Sequence, residues 1–248
     1  MDGHATSVRR KAGVLAAVLA LAVSVLVAVL LSHASPTSGT PSALHPAPLV
    51  TVPSEPPAAP VAAKKTLPHD RVDAAAPTQF VLTGPAFRVT ANVCGMPAVF
   101  PLDPPGDQLH TVCWVDHDFG VAPGSGTRGT TYVLGHAWSQ QQLVLNPLSE
   151  FATAHLHGAR YASNHVATYS VPALLKYSVT LTTPNGTLGY TVTSAFLVGK
   201  LDARGVASLM ATSTPNRVVV ITCAVRDGID LPQNVILYAK LAWSKAKH

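Results

Sequence analysis

The distribution of apolar and polar positions divides the chain into three unlike stretches. Residues 12–31, AGVLAAVLALAVSVLVAVLL, form one apolar run without a charged side chain. About 20 helical residues cross the ~30 Å of hydrocarbon in a bilayer, so this run predicts a transmembrane helix. Residues 32–78 are rich in Pro, Ala, Ser and Thr and poor in large apolar side chains. Such a stretch buries too little surface to offset the entropy of ordering and reads as a linker. From Gln79 onward, β-branched and aromatic runs at 80–82, 131–134, 177–182, 189–198, 217–222 and 234–239 predict strands separated by turns. Pro184-Asn185-Gly186-Thr187 carries Asn-Gly at a hairpin tip joining two of them. Helix signals are short, at 143–153 and 203–211. The expected organisation is a basic tail over 1–11, a transmembrane helix over 12–31, a Pro/Ala-rich disordered linker over 32–78 and one mostly β domain over 79–248. Many short strands with turns between them suggest a closed or partly closed barrel.

Charge adds a direction to this plan. The net charge of +5 and pI near 9.2 owe much to Arg9-Arg10-Lys11 and to Lys245 and Lys247. The remaining cations are scattered, without the interleaved aromatic residues of a nucleic-acid-binding face, so no nucleic-acid partner is expected. Arg9, Arg10 and Lys11 precede the apolar run and no cation follows it until Lys64, which keeps the N-terminus cytoplasmic. Ser32-His33-Ala34 also has the small-x-small form of a signal-peptidase site. A retained anchor and a cleaved signal both put the domain outside the cytoplasm, and the length of the run favours the anchor.

Three cysteines in an exported domain leave at least one thiol over unless it pairs between chains. Cys94 and Cys113, in Gly- and Pro-bearing segments near the start of the domain, are the expected disulfide, with a stabilisation of about 3 kcal/mol for a loop of that size. Cys223 closes the apolar run 218–222. Taken alone it reads as a small hydrophobe ending a core strand. His136, after Gly135 at the end of the 131–134 run, reads equally as an ordinary His beyond a turn. Together they are two reactive side chains at strand ends, where a rigid position and an open approach suit thiolate catalysis. A thiol with a pKa of about 8.5 needs an imidazole or a cation nearby to act at neutral pH.

Several of these segments follow one another in a familiar order. Val112-Cys113-Trp114-Val115, the loop Ala122-Pro123-Gly124-Ser125-Gly126, the strand 131–134 with Gly135-His136, Val220-Ile221-Thr222-Cys223 and the final 234–239 run resemble the ordered motifs of sortases, closest to the actinobacterial class E and F type. The resemblance implies an eight-stranded β-barrel, no cofactor or metal, Cys223 as nucleophile, His136 as its proton partner, and Thr222 beside the bound peptide. The implied reaction is attack by Cys223 on an LPxTG-like sorting signal of a secreted protein, then transfer to an amine of the cell envelope or a pilus subunit. Where class F sequences carry an Arg, this chain reads Leu231-Pro232-Gln233-Asn234. Arg226 is the nearest cation beyond Cys223 and is the expected replacement, with Arg128 as rival; Arg217 lies ~17 Å back along the strand. His155, His157 and His165 belong to a stretch longer than the family's and read as a polar surface insertion rather than a metal site. Two other readings keep the fold: a peptide- or protein-binding relative that has lost turnover with the Arg, and a Cys/His peptidase whose thioester is resolved by water.

Overall fold

Side-chain alternation along the strands decides which residues fill the interior, and it does so around a closed ring. The computed structural model describes residues 68–99, 103–116, 119–161 and 164–248. The expected basic tail, transmembrane helix and linker as far as residue 67 lie outside the described residues. Among the described residues no helix is long and apolar enough to cross a membrane. The strands are β1 (Gln79–Thr83), β2 (Arg88–Met96), β3 (Thr111–Val115), β4 (Thr130–Leu134), β5 (Ala159–Tyr161), β6 (Ala167–Ser170), β7 (Ser178–Thr183), β8 (Gly186–Gly199), β9 (Arg217–Arg226) and β10 (Ile229–Ala246). Two helices, α1 (Asn146–Ala154) and α2 (Ala207–Met210), and two 3-10 turns, Pro172–Lys176 and Ala203–Gly205, complete it.

Neighbours run β10-β9-β4-β3-β2-β1-β7-β8, and β8 pairs back onto β10, so eight strands close a barrel. Closure removes the open edges that a flat sheet of this length would present. The small β6–β5 ribbon continues from β8. Phe80, Leu82, Val112, Val133, Leu181, Leu188, Val220 and Leu237, contributed by all parts of the ring, meet inside it. A second cluster lies on the outer face of β3, β4, β9 and β10, where Cys113, Tyr132, Leu134, Val219, Ile221 and Ile236 are covered by Val206 and Leu209. These strands are apolar on both faces, and that is why the 131–134 and 217–222 runs are nearly continuous rather than alternating.

The hairpin falls where Asn-Gly predicts it, between β7 and β8, with Gly186 at φ +155°. Elsewhere the boundaries shift. The first helix starts at Asn146, with Pro147 in its first turn, and Leu143, Val144 and Leu145 before it are buried as a turn. The second is broken at Val206, whose ψ of 95° is extended. β2, β3, β5 and β6 lie outside the expected strand runs; β2 alternates over Arg88–Asn92, with Arg88, Thr90 and Asn92 outward. Residues 68–78, linker-like in composition, lie along the barrel. Asp70 donates its N–H to the Ser244 carbonyl at 3.0 Å, Ser244 donates to the Pro68 carbonyl at 2.9 Å, and Val72 is part of the core. Backbone pairing orders a segment whose side chains alone would not.

The β8–β10 seam depends on one close approach. Gly189 stands opposite Trp243 in the ladder, and a Cβ there would run into the indole. Gly189→Ala is expected to lower stability by about 1–3 kcal/mol, the cost of overpacking a rigid site, read as a lower midpoint of denaturant unfolding. Gly126→Ala, with nothing within 4 Å of its Cβ, is the control and should leave the midpoint in place.

Candidate active site

β4 and β9 run parallel, and their pairs from Thr130↔Arg217 to Leu134↔Ile221 keep a constant offset of 87 residues. The Gly135 N–H continues the ladder to the Ile221 carbonyl at 3.2 Å. Carried two places past Leu134↔Ile221, the same offset puts His136 beside Cys223. Residues 132 and 134 share one face, as do 219, 221 and 223, because alternate side chains of a strand point the same way; His136 follows two residues past the end of β4. Adjacent strands lie about 4.8 Å apart. His136 and Cys223 accordingly line one groove of about 630 Å³ on the outer face of the barrel.

Polar contacts hold the two strand ends. Val225, two residues beyond Cys223, donates its N–H to Ser149 Oγ at 2.7 Å and accepts from Thr153 Oγ1 at 2.7 Å. Ser149 and Thr153 are four apart on α1 and face the same way, so one helix satisfies both backbone groups of the strand end. On the other side, Asn146 Oδ1 accepts from the Trp138 and Leu143 N–H groups at 2.9 and 3.0 Å, and its Nδ2 donates to the Trp138 carbonyl at 2.8 Å. Asn146 is 1% exposed, and these bonds fasten the loop that carries His136. Asp230, on β10, accepts from the Ser139 N–H and Oγ at 2.9 and 3.0 Å and ties that loop to the β9–β10 hairpin.

His136 is mostly buried, and its Nε2 lies 2.9 Å from the Pro104 carbonyl and 3.4 Å from Asp103 Oδ1. A carbonyl only accepts, so the proton sits on Nε2 and His136 is set as a donor. Cys223 is a half-buried free thiol. Its cross-strand neighbour on β10 is Asn234, which also lines the groove.

The remaining expected site residues are placed as follows. Cys94 and Cys113 are joined by a disulfide across the parallel β2–β3 pair, with Cα atoms 4.4 Å apart. Thr222 is 2% exposed, and its backbone borders the groove while its position in the alternation matches Val220 and Ala224 of the interior; its hydroxyl is buried without a partner. Arg226 is not brought to the pair. Its spacing of three from Cys223 reverses the face, it is exposed near the hairpin tip, and it meets its own neighbour Asp227 at 3.4 Å. Arg128 precedes β4, at the end away from His136. The cations that do border the groove are Lys200 and Arg204, on the connection from β8 to β9. Sequence nearness to Cys223 hides them, whereas an outward-facing Cys covered by that connection would have pointed to them.

No protein-family model matches the chain, and no curated protein matches it. Among solved structures it is similar to sortase A of Listeria monocytogenes, at TM-score 0.41 and 14% identity over 70% of this chain and 92% of that one. It is also similar to a lid mutant of sortase A from Corynebacterium diphtheriae, at 0.42 and 15% over 70% and 72%. Sortase C-3 of Streptococcus pneumoniae matches at 0.44 and 13% over 71% and 67%. These neighbours are sortases.

The disulfide and the free thiol generate a direct expectation. Alkylation of the folded, unreduced protein should label Cys223 alone, and reduction in denaturant should expose all three thiols to label. Peptide mapping by mass spectrometry reads both states; a labelled Cys94 or Cys113 in the first state would remove the disulfide.

Proposed function

We propose that the protein is a sortase-type cysteine transpeptidase, held on the outer face of the cell membrane by residues 12–31 with its N-terminus in the cytoplasm. The observation that supports it is that His136, just past β4, and the free thiol of Cys223, on the neighbouring β9, line the same open groove. The order of the motifs around His136 and Cys223 supports the same reading. The donor substrate is an LPxTG-like sorting signal of a secreted protein, and the acceptor is an amine of the cell envelope or a pilus subunit.

In this reading the Cys223 thiolate attacks the carbonyl carbon of the scissile peptide bond, and negative charge develops on the carbonyl oxygen. The C–N bond breaks as His136 gives its proton to the leaving amine, and the acyl group stays on Cys223 as a thioester. The acceptor amine then attacks the thioester carbonyl, His136 takes up its proton, and Cys223 leaves as thiolate. Thr222 contributes through its backbone beside the bound peptide. Positioned groups matter most where charge appears in the transition state. The second reading, a peptide-binding relative without turnover, draws on Asn234 standing opposite Cys223 where a cation would serve the oxyanion.

Incubation with an LPxTG-like peptide followed by intact-mass analysis separates the readings. An acyl adduct that hydroxylamine removes and that Cys223→Ala abolishes is the expected result. His136→Ala should slow its formation about 10²–10⁴-fold. Binding without an adduct would favour the non-catalytic relative, and an adduct discharged only to water in the presence of amines would favour a peptidase.

A further inference from the structure

The chain enters the barrel at the end far from the groove. Ser244, near the end of β10, donates its N–H to the Pro68 carbonyl at 2.9 Å and accepts from the Asp70 N–H at 3.0 Å. Asn185, at the β7–β8 tip, donates through Nδ2 to the Asp73 carbonyl at 3.2 Å, and its own carbonyl accepts from the Lys247 N–H at 3.0 Å. The loop before β4 joins them: the Asn216 N–H donates to the Thr127 carbonyl at 3.1 Å, and the Asn216 carbonyl accepts from the Leu241 N–H at 3.0 Å. Lys240 stands opposite Arg217 in the ladder, and from Arg217 to Cys223 is about 20 Å of strand. β10 runs on from Lys240 to Ala246, away from Cys223.

Cations surround this point of entry. Arg128, Lys240, Lys245 and Lys247 are exposed, and Lys64 and Lys65 come shortly before Pro68 in the sequence. Leu188 and Tyr190 point into the barrel, so Gly189 between them and its ladder partner Trp243 face outward, and Lys245 shares that face. Trp243 is half-buried. An indole beside lysines is the side-chain set that settles at a lipid headgroup layer. Among the described residues, the acidic groups of this end are Asp70, Asp73 and Asp116. Asp70 is half-buried and accepts from the Ala246 N–H at 3.0 Å, and Asp73 meets Arg71 at 3.1 Å. Asp116, just past β3, is three strand spacings from β10 round the ring, about 14 Å and beyond the screening length of physiological salt. Residues 32–67, between the apolar run and Pro68, span at most about 130 Å whatever their path, so an anchored chain keeps this end near the bilayer. We propose that this end of the barrel docks on an anionic phospholipid surface, with Arg128, Lys240, Lys245 and Lys247 over the headgroup phosphates and Trp243 at the edge of the headgroup layer. Docked in this way, the barrel holds the Cys223 groove on the side away from the lipid. The proposal rests on the anchored reading for the nearness of the bilayer, and on the described residues for the charge.

The test uses the full chain reconstituted in vesicles of phosphatidylcholine, alone or mixed with phosphatidylglycerol. A membrane-impermeant amine-reactive ester labels the lysines, and mass spectrometry maps the adducts. Labelling of Lys240, Lys245 and Lys247 is expected to slow about three- to tenfold on the mixed vesicles at low salt, the scale set by a few cations near an anionic surface. Lys200, on the groove, is the internal control and should label equally on both. The difference should vanish in 1 M salt, where the screening length is about 3 Å. Lys245→Glu with Lys247→Glu should remove the protection of Lys240, and alkylation of Cys223 alone in the unreduced variant checks that it is folded. Equal labelling on the two lipids, protection that survives salt or the double substitution, or equal slowing at Lys200 overturns the proposal. Flotation on pure phosphatidylcholine vesicles in 1 M salt reads the anchor separately. A protein that does not float there retires the anchored reading, and slower labelling of the three lysines on mixed vesicles then still upholds the basic surface. A protein that floats and labels equally on both lipids retires the surface alone.

Discussion

The parallel pairing of β4 with β9 is the constraint from which the rest of the site descends. Antiparallel neighbours can be joined by a hairpin, but parallel ones require the chain to leave one end and return to the other. Between Leu134 and Arg217 the chain therefore builds α1, β5 to β8 and the strap that crosses the outer face. The return includes Val206 and Leu209, which pack over Tyr132, Leu134, Val219 and Ile221 on the outer face of the pair. Closure of the ring fixes the register, because β10 is paired with both β9 and β8. A slip of one residue would turn Cys223 inward and Thr222 outward, and every other side chain of β9 with them.

Register alone places side chains only as far as the strands persist; Cys223 lies within β9, short of its end at Arg226, whereas His136 lies two residues past the end of β4. There the position is held by groups that would otherwise be unsatisfied. Ser149 and Thr153 meet the backbone of Val225, Asn146 meets that of Trp138 and Leu143, and Asp230 meets Ser139. Removing a buried partner of this kind costs about 1–3 kcal/mol, because the remaining donor is stranded away from water. Burial pushes the Tyr132 phenol above its ordinary pKa, so it remains a neutral donor to the Leu209 carbonyl and keeps the strap on the sheet.

What the residues reveal before folding follows from the range of the interactions involved. Local signals are legible: Asn185-Gly186 marks its hairpin, the 131–134 and 217–222 runs mark their strands, and Cys94 and Cys113, the pair expected from their Gly- and Pro-bearing segments, are bonded. The adjacency of His136 and Cys223 is not local, since it depends on a parallel ladder between segments 87 residues apart. Arg226 shows the limit of nearness along the chain, although the alternation rule already contains the signal: a spacing of three in a strand points to the opposite face. Lys200 and Arg204 reach the groove through the crossover, and only the three-dimensional path of the strap reveals them. Residues 68–78 are hidden for a different reason, because their order comes from backbone bonds to Ser244 and from Val72 in the core rather than from a run of apolar residues.

The division of labour between strand and strap has a physical consequence. A cation carried by β10 opposite Cys223 would share the ladder's rigidity, and its placement would be bound to the register that aligns the thiol; Asn234 stands there instead. Arg204 on the 3-10 turn and Lys200, just past the end of β8, sit outside the ladder, so they can change in length, sign or number without moving Cys223 or His136. Their exposure limits what each contributes, since water and salt screen an accessible pair.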